Sequence, residues 1–492
     1  MSAVQSVDSV ALLPAYLAAG TAVLVLVVDL VLARPRATVA MAALGALGTA
    51  VGAAVVGAGD ERRTFCVGPD CSWVFGGRAA LVAAVVALLT LAVLGLSVPA
   101  LRAGRSPVGE YAFLLACSMT GGVVLGAAGD LITLIVALET LTLPLYVLVG
   151  LRRGSLASAE AAVTFFVVSV VATTITLLGA ALLYAVTGSL HLDRLGALLA
   201  ERPDLRDLPL TTAAVALLLL GLAFKVAAVP FHAWAPATYD GAPLPVAAYL
   251  STASKLGGLV ALLAVVQRAL PADQTGPVLA LLAVLTMTVG NLVALRQRRT
   301  VRLLAWSSVA QAGYILAPLG ALALAAGRTG EARSAAYAAA VAYAVFFVVL
   351  ELAAFAGVTA LRPAGADGGT LDDLRGAARR HPWRGAALGL ALVGLAGLPP
   401  GLAGLFAKVT VVRSLLDGGA AWLALVVALN AVIGLAYYLR VTAGLWAPTA
   451  TPGAVVPVVP AGGVVAVVLA VATVAAVVLG VAPQLVLDLA GR

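Results

Sequence analysis

The sequence predicts an all-α, polytopic membrane protein of about fourteen transmembrane helices. Three observations predict it. The 492 residues are 62% hydrophobic and only 11% charged, with a mean hydropathy of +1.09, which leaves too little polar surface to cover a soluble core. Apolar runs of about 20 residues recur from end to end, each long enough to cross a bilayer. Alternating strand patterns of the barrel type are absent from the sequence, so helices are the expected way to satisfy backbone groups in hydrocarbon. The net charge of +8 is therefore read through loop topology, with the lipid bilayer as partner and no nucleic acid expected.

Cutting the chain at charges and at Gly/Pro clusters places the spans in order. The first, 10–33, follows "MSAVQSVDSV", which lacks a basic n-region and is followed by no clear small-residue cleavage site, so it is read as retained. Spans two to seven fall at 37–59, 79–100, 109–128, 130–150, 160–187 and 209–231. Spans eight to fourteen fall at 243–267, 277–295, 301–325, 335–361, 384–413, 420–443 and 463–485. The longest loops hold only about 20 residues, too few for a separate domain. Residues 1–492 are thus one integral membrane domain: 1–105 carries spans one to three, 106–270 a first repeat, 271–445 a second, and 446–492 the last span. Cys66 and Cys71 share one loop and can pair if it faces an oxidising side, a point the sequence leaves open. Cys117 sits in a span and reads as packing.

Sixteen of the 27 arginines lie in loops after odd-numbered spans, among them Arg105 and Arg153, and eleven on the opposite side, Arg492 included. The bias puts the odd loops in the cytoplasm and both termini outside the cell membrane.

All three lysines, Lys225, Lys255 and Lys408, fall inside hydrophobic spans. A charge at the bilayer centre costs at least about 2.5–3.5 kcal/mol. Unlike arginine, lysine can give up its proton when desolvated, so proton handling is favoured over a snorkelling side chain. Few acids are placed to pair with them. Glu139 in "LITLIVALETLTLPLYVLVG" needs a cation or a proton, and Lys225 is the natural candidate; the bland alternative is a packing ion pair. Glu351 in "FFVVLELAAFAG" is a second isolated acid for which the sequence names no partner, while Asp29 and Glu160 read as interfacial.

Pro230 follows Lys225 by five residues, and Pro399 and Pro400 precede Lys408. Proline inside a span removes a backbone hydrogen bond, freeing carbonyls and making room for water. Two such broken helices five spans apart suggest two inverted five-span repeats, spans four to eight and nine to thirteen. His232, two positions past Pro230, can carry a proton near physiological pH or serve structurally.

At these residues the sequence resembles a known family. "GLAFKVAAVPFHAWAPATYDGAPLPVAAYLSTASK" is similar to the seventh-to-eighth-span signature of the antiporter-like subunits of respiratory complex I. Its "YDGAPLPVAAYLSTASK" half resembles the subunit N family of bacterial NADH–quinone oxidoreductases. "LIVALETLTLPLYVLVG", "VRLLAWSSVAQAGYIL", "GLPPGLAGLFAKVTVV" and "LNAVIGLAYYLRV" agree, over residues 110–445. The resemblance implies that Glu139 and Lys225 form the pair at the uptake side, Lys255 a central relay, Lys408 the far half-channel, and His232 the histidine of a "PFH" motif. It also implies proton translocation driven by quinone reduction elsewhere. NADH, quinone, FMN and iron–sulfur clusters would then belong to partner subunits, with no cofactor in this chain and neighbouring antiporter-like membrane subunits as partners. Departures from the family pattern are Thr164 for an expected lysine, Val301 and Trp306 for a Lys and a Tyr, Ala237 for an acid, and Glu351 for a small neutral residue. The competing readings are an Mrp-type cation/proton antiporter subunit and a divergent copy acting mainly as a structural membrane subunit.

Overall fold

The computed structural model describes residues 7–104, 106–152, 154–448 and 462–491. Arg105, Arg153 and Arg492, used above for orientation, lie outside the described residues, as does most of the segment before the last span.

Among the described residues, eleven helices are long and apolar enough to cross a membrane. Their limits follow the hydropathy closely: Leu13–Leu32, Pro35–Gly57, Gly77–Arg102, Val108–Gly126, Leu131–Gly150 and Leu156–Thr187 early in the chain, and Ala421–Trp446 and Gly463–Val481 at its end. Proline at the first positions of Pro35–Gly57 costs nothing, because those N–H groups have no helical partner. Asp130 caps Leu131–Gly150 by accepting from the Thr133 N–H at 2.8 Å.

Both proline-broken spans are interrupted further than a kink. The seventh stops as the helix Pro209–Lys225 and resumes as Trp234–Gly241, so the expected span 209–231 ends at Lys225 itself. Pro230 biases Val229 away from helical geometry, and Ala227 adopts a left-handed φ of 58°, which an α-helix cannot contain. The twelfth divides into Pro382–Ala396 and Leu402–Asp417 around Gly397–Gly401. The eighth runs Leu244–Arg268 with a π-helical turn at Leu250–Ser254, directly before Lys255.

One element has no counterpart in the hydropathy reading. Between the second and third spans, Arg62–Val67 and Asp70–Phe75 form an antiparallel hairpin that pairs Cys66 with Cys71, and a disulfide joins them. Trp73 of this hairpin is buried and donates its indole N–H to the Ala11 carbonyl at 3.0 Å.

The chain gathers into two compact units. One comprises residues up to Leu94, Gly104–Lys225 and Ala253–Pro271. In it Leu156–Thr187 packs along Pro209–Lys225, and Val108–Gly126 along Leu131–Gly150. The other comprises Gly95–Ala103, Val226–Thr252 and the chain from Ala272 onward, where Gly330–Leu361 packs against both halves of the twelfth span and against Gly463–Val481. Charges collect at helix ends within each unit: Arg268 with Asp193 at 2.7 Å in the first, and Arg299 with Asp240 and Asp367 at 2.7 and 3.0 Å in the second.

Candidate functional site

Lys225 is the last residue of its helix and points into the first unit's interior with 7% of its surface exposed. Its ammonium donates to Glu139 Oε1 at 2.6 Å, to Ser169 Oγ at 3.1 Å and to Thr142 Oγ1 at 3.4 Å. Three N–H bonds and three acceptors match one for one. Around the carboxylate, Thr173 donates to the same Oε1 at 2.6 Å and Thr142 lies 3.5 Å from Oε2. Tyr146 donates to Ser169 at 2.5 Å and is boxed edge-on by Phe165 and Phe166. The result is a salt bridge in a ring of hydroxyls, each able to accept one proton while releasing another.

Glu139, Thr142 and Tyr146 sit three or four residues apart on one helix, so they share a face; Ser169 and Thr173 do the same on the facing helix. Lys255 is 2% exposed, one step beyond the π turn. Gly258, one turn on, approaches the Lys225 backbone so closely that a Cβ would lie 2.9 Å from its carbonyl carbon and oxygen. Only glycine allows this crossing, which brings the Lys255 helix against the Lys225 helix.

In the second unit Lys408 has a different setting. Its ammonium donates to the carbonyls of Leu395 (3.2 Å) and Ala396, the last residues before the break, and lies 5.5 Å from the centre of the Tyr314 ring. The interruption has removed the N–H partners these carbonyls would have in a continuous helix. Gly397, at φ 82°, turns the chain there, and a Cβ on it would sit 2.8 Å from Lys408 Cδ. His232 is half-buried with its ring 5.1 Å from that of Trp306.

The structure thus joins Glu139 to Lys225 directly, brings the Lys255 helix against them, and gives Lys408 backbone oxygens in place of a carboxylate. Sequence reasoning missed the polar cluster beside Lys408. Gln311 donates to the Leu395 carbonyl at 3.2 Å and to Tyr438 at 3.0 Å, and accepts from Tyr343 at 2.6 Å; Tyr438 also pairs with Ser307. Asn291 ties Tyr314, Tyr437 and Asn430 together at 3.0 to 3.2 Å. The signal was present as amides and phenols inside apolar runs, in "AWSSVAQAGY" and "LNAVIGLAYY". Thr164, where the resembling family carries lysine, lies on an exposed face of its helix.

A family profile described as NADH:quinone oxidoreductase/Mrp antiporter, TM matches residues 128–434. The chain is 79% identical to the NADH-quinone oxidoreductase subunit N of Salinispora tropica, with all of both chains covered. It superposes on a chain of respiratory complex I from Thermus thermophilus with a TM-score of 0.80 and 31% identity, over 97% of this chain and 99% of that one. A chain of the Mrp complex from Dietzia sp. aligns with a TM-score of 0.79 at 23% identity, over 97% and 96% of the two chains, which shows a shared fold alone. A broken-helix membrane fold, an intramembrane Glu–Lys pair and full-length identity of this degree converge: the chain belongs to the NADH:quinone oxidoreductase/Mrp antiporter transmembrane family, among the subunit N proteins of NADH-quinone oxidoreductase.

Proposed function

We propose that the chain moves protons across the membrane through Glu139, Lys225, Lys255 and Lys408, with His232 serving the broken seventh span. The observation that carries this reading is the Lys225–Glu139 contact of 2.6 Å, made inside an apolar helix bundle and surrounded by hydroxyls. Two opposite charges in a low dielectric hold each other in place, and transfer of one proton from Nζ to the carboxylate converts them to a neutral amine and acid. Either state avoids an isolated buried charge. A charge arriving or leaving nearby therefore tips the pair between them, which is what a proton gate requires.

The energy comes, on this reading, from quinone reduction by partner subunits of an NADH:quinone oxidoreductase complex. NADH, FMN, iron–sulfur clusters and quinone sit there, while this chain supplies bases and hydroxyls and no redox centre. Its flanks meet other membrane subunits of the complex, neighbouring antiporter-like ones above all. The arginine bias places both termini outside, and the Cys66–Cys71 disulfide, in a loop after an even-numbered span, supports that orientation because disulfides persist on the oxidising side.

The test is Lys225→Arg in the assembled complex. Arginine keeps the charge but does not release its proton. Proton translocation in membrane vesicles is expected to fall at least tenfold, a floor set below the roughly 10²–10⁴ of a lost acid–base group to allow for leak, with assembly preserved. Retained pumping would mean that the position needs only positive charge.

A further inference from the structure

The stretch "RGAARRHPWR", Arg375 to Arg384, carries four arginines, a histidine and a tryptophan, and runs into the apolar helix Pro382–Ala396. No acid occurs between Asp373 and Asp417. Asp367 and Asp373, just upstream, are already held by Arg299 and Arg362 at 3.0 to 3.4 Å. Among the described residues, none of Arg375, Arg379, Arg380 and Arg384 has an acidic partner. Burial, and then the Arg384 and Arg380 charges, hold the His381 imidazole below its usual value, as expected where positive charge is left unneutralised. Loop arginines that only set topology need no particular fold, whereas these are built into one.

Gly376 turns the chain at a left-handed φ of 68° and donates its N–H to the Gly444 carbonyl at 3.0 Å, pinning the segment to the end of Ala421–Trp446. The short helix Ala377–Arg380 then folds back on Pro382–Ala396, and a Cβ on Gly385 would collide with the Ala378 backbone, so glycine permits the approach. Arg380 donates to the Arg375 carbonyl at 3.2 Å and Arg384 to the Ala360 carbonyl at 3.2 Å; each bond uses one of five guanidinium N–H groups. Arg375 is half-buried, and its Nε has no hydrogen-bond partner among the described residues. Arg379 and Arg380 are exposed. Trp383 is 48% exposed, and Trp446, packed over Gly389, is 43% exposed; they belong to the two helices joined here. Exposed tryptophans at the ends of apolar helices mark the bilayer interface, so the arginines lie at headgroup level.

We propose that Arg375, Arg379, Arg380 and Arg384 hold the phosphate of an anionic membrane phospholipid, whose acyl chains lie along Pro382–Ala396 beside Trp383 and Trp446. A guanidinium fork matches two phosphate oxygens, and its weak hydration suits a site at the edge of water. The occupant is a lipid phosphodiester and not a free anion because the cations sit at the mouth of an apolar helix flanked by tryptophans. One ligand then meets charge with its head and hydrocarbon with its tails. A zwitterionic lipid brings its own ammonium and gains less. The site uses none of the residues of the proton relay and does not depend on it.

The assembled complex is reconstituted in vesicles of equal phosphatidylglycerol and phosphatidylcholine content, in which one lipid or the other carries a photoactivatable acyl chain, and labelled peptides are mapped by mass spectrometry. Each basic side chain at an anionic lipid surface is worth roughly fivefold in affinity. The phosphatidylglycerol probe is therefore expected to label Pro382–Ala396 and the end of Ala421–Trp446 about fivefold or more above the phosphatidylcholine probe. Arg379→Gln with Arg380→Gln should lower that labelling about fivefold or more, and Arg379→Lys with Arg380→Lys should keep most of it. Excess inorganic phosphate should leave it unchanged. Equal labelling by the two probes in the parent complex would overturn the proposal. Unchanged labelling in the Gln variant would do the same and leave these arginines a topological role alone. Loss of labelling to inorganic phosphate would identify a soluble-anion site and overturn the lipid assignment. Should the Gln variant fail to assemble, the comparison of the two probes on the parent complex decides.

Discussion

At the scale of single residues, the arrangement turns on how an ammonium is kept in an apolar interior. Lys225 has a carboxylate and two hydroxyls, whereas Lys408 has two carbonyls and an aromatic face. The second setting depends on Gly397, whose left-handed φ of 82° and proximity to the lysine stem exclude a side chain. Gly397→Ala should cost about 1–2 kcal/mol in backbone strain alone and displace Lys408 as well. Reduced thermal stability of the complex together with reduced pumping is the expected result; unchanged values of both would show the turn to be tolerant. Ser169→Ala removes one of the three acceptors of Lys225 and the partner of Tyr146. It should lower stability by about 1–3 kcal/mol, read as a lower unfolding temperature.

Elements explain how those residues come to face one another. At the π turn Leu250–Ser254, Ser251 and Thr252 both donate their hydroxyls to the Ala248 carbonyl at 3.0 and 2.6 Å. Ser251→Ala with Thr252→Val would remove both side-chain donors from that carbonyl, costing about 1–3 kcal/mol in thermal unfolding at about 0.5–1.5 kcal/mol for each lost bond; a single replacement should cost less, because one donor remains. Much of this scale was legible beforehand. Span limits followed from hydropathy because a bilayer dictates helix length, and Pro230 and Pro399–Pro400 announced the interruptions because proline cannot continue the ladder. The pairing of Glu139 with Lys225 was legible because so few charges share the hydrocarbon. The π turn was not, since an i→i+5 pattern leaves no compositional mark in "LSTAS". Nor was the hairpin at Arg62–Phe75, whose short strands carry too few apolar residues for a period-two pattern to stand out. The tyrosine–glutamine cluster was hidden for another reason: its members come from separate spans, and only tertiary packing brings Gln311, Tyr343 and Tyr438 together.

For the molecule as a whole, apart from the interior lysines, Glu139 and Glu351, charge among the described residues collects at helix ends and in loops. Hydrogen bonds from Arg268 hold the Asp193 carboxylate below its usual range. A depressed carboxylate contributes stability above its unfolded-state value near 3.9 and loses it as pH falls through the lower folded-state value. Asp193 is largely exposed, so Asn in its place should lower stability by only about 0.2–1 kcal/mol at neutral pH, and by nothing measurable once both forms are protonated in acid. Sidedness is open to test through Cys66 and Cys71. A membrane-impermeant maleimide added to intact cells should label them only after an external reductant; labelling confined to inverted vesicles would reverse the proposed orientation. The contrast between the two lysine settings has a consequence for direction. Stripping hydrogen ion from Lys225 leaves the Glu139 carboxylate with hydroxyls but no cation beside it, so departure there demands a replacement from somewhere. Stripping it from Lys408 leaves behind only uncharged amide oxygens in immediate contact. Within the relay proposed above, two stations with such unequal aftermaths would act as a ratchet: traffic would be obliged to refill one and free to empty the other.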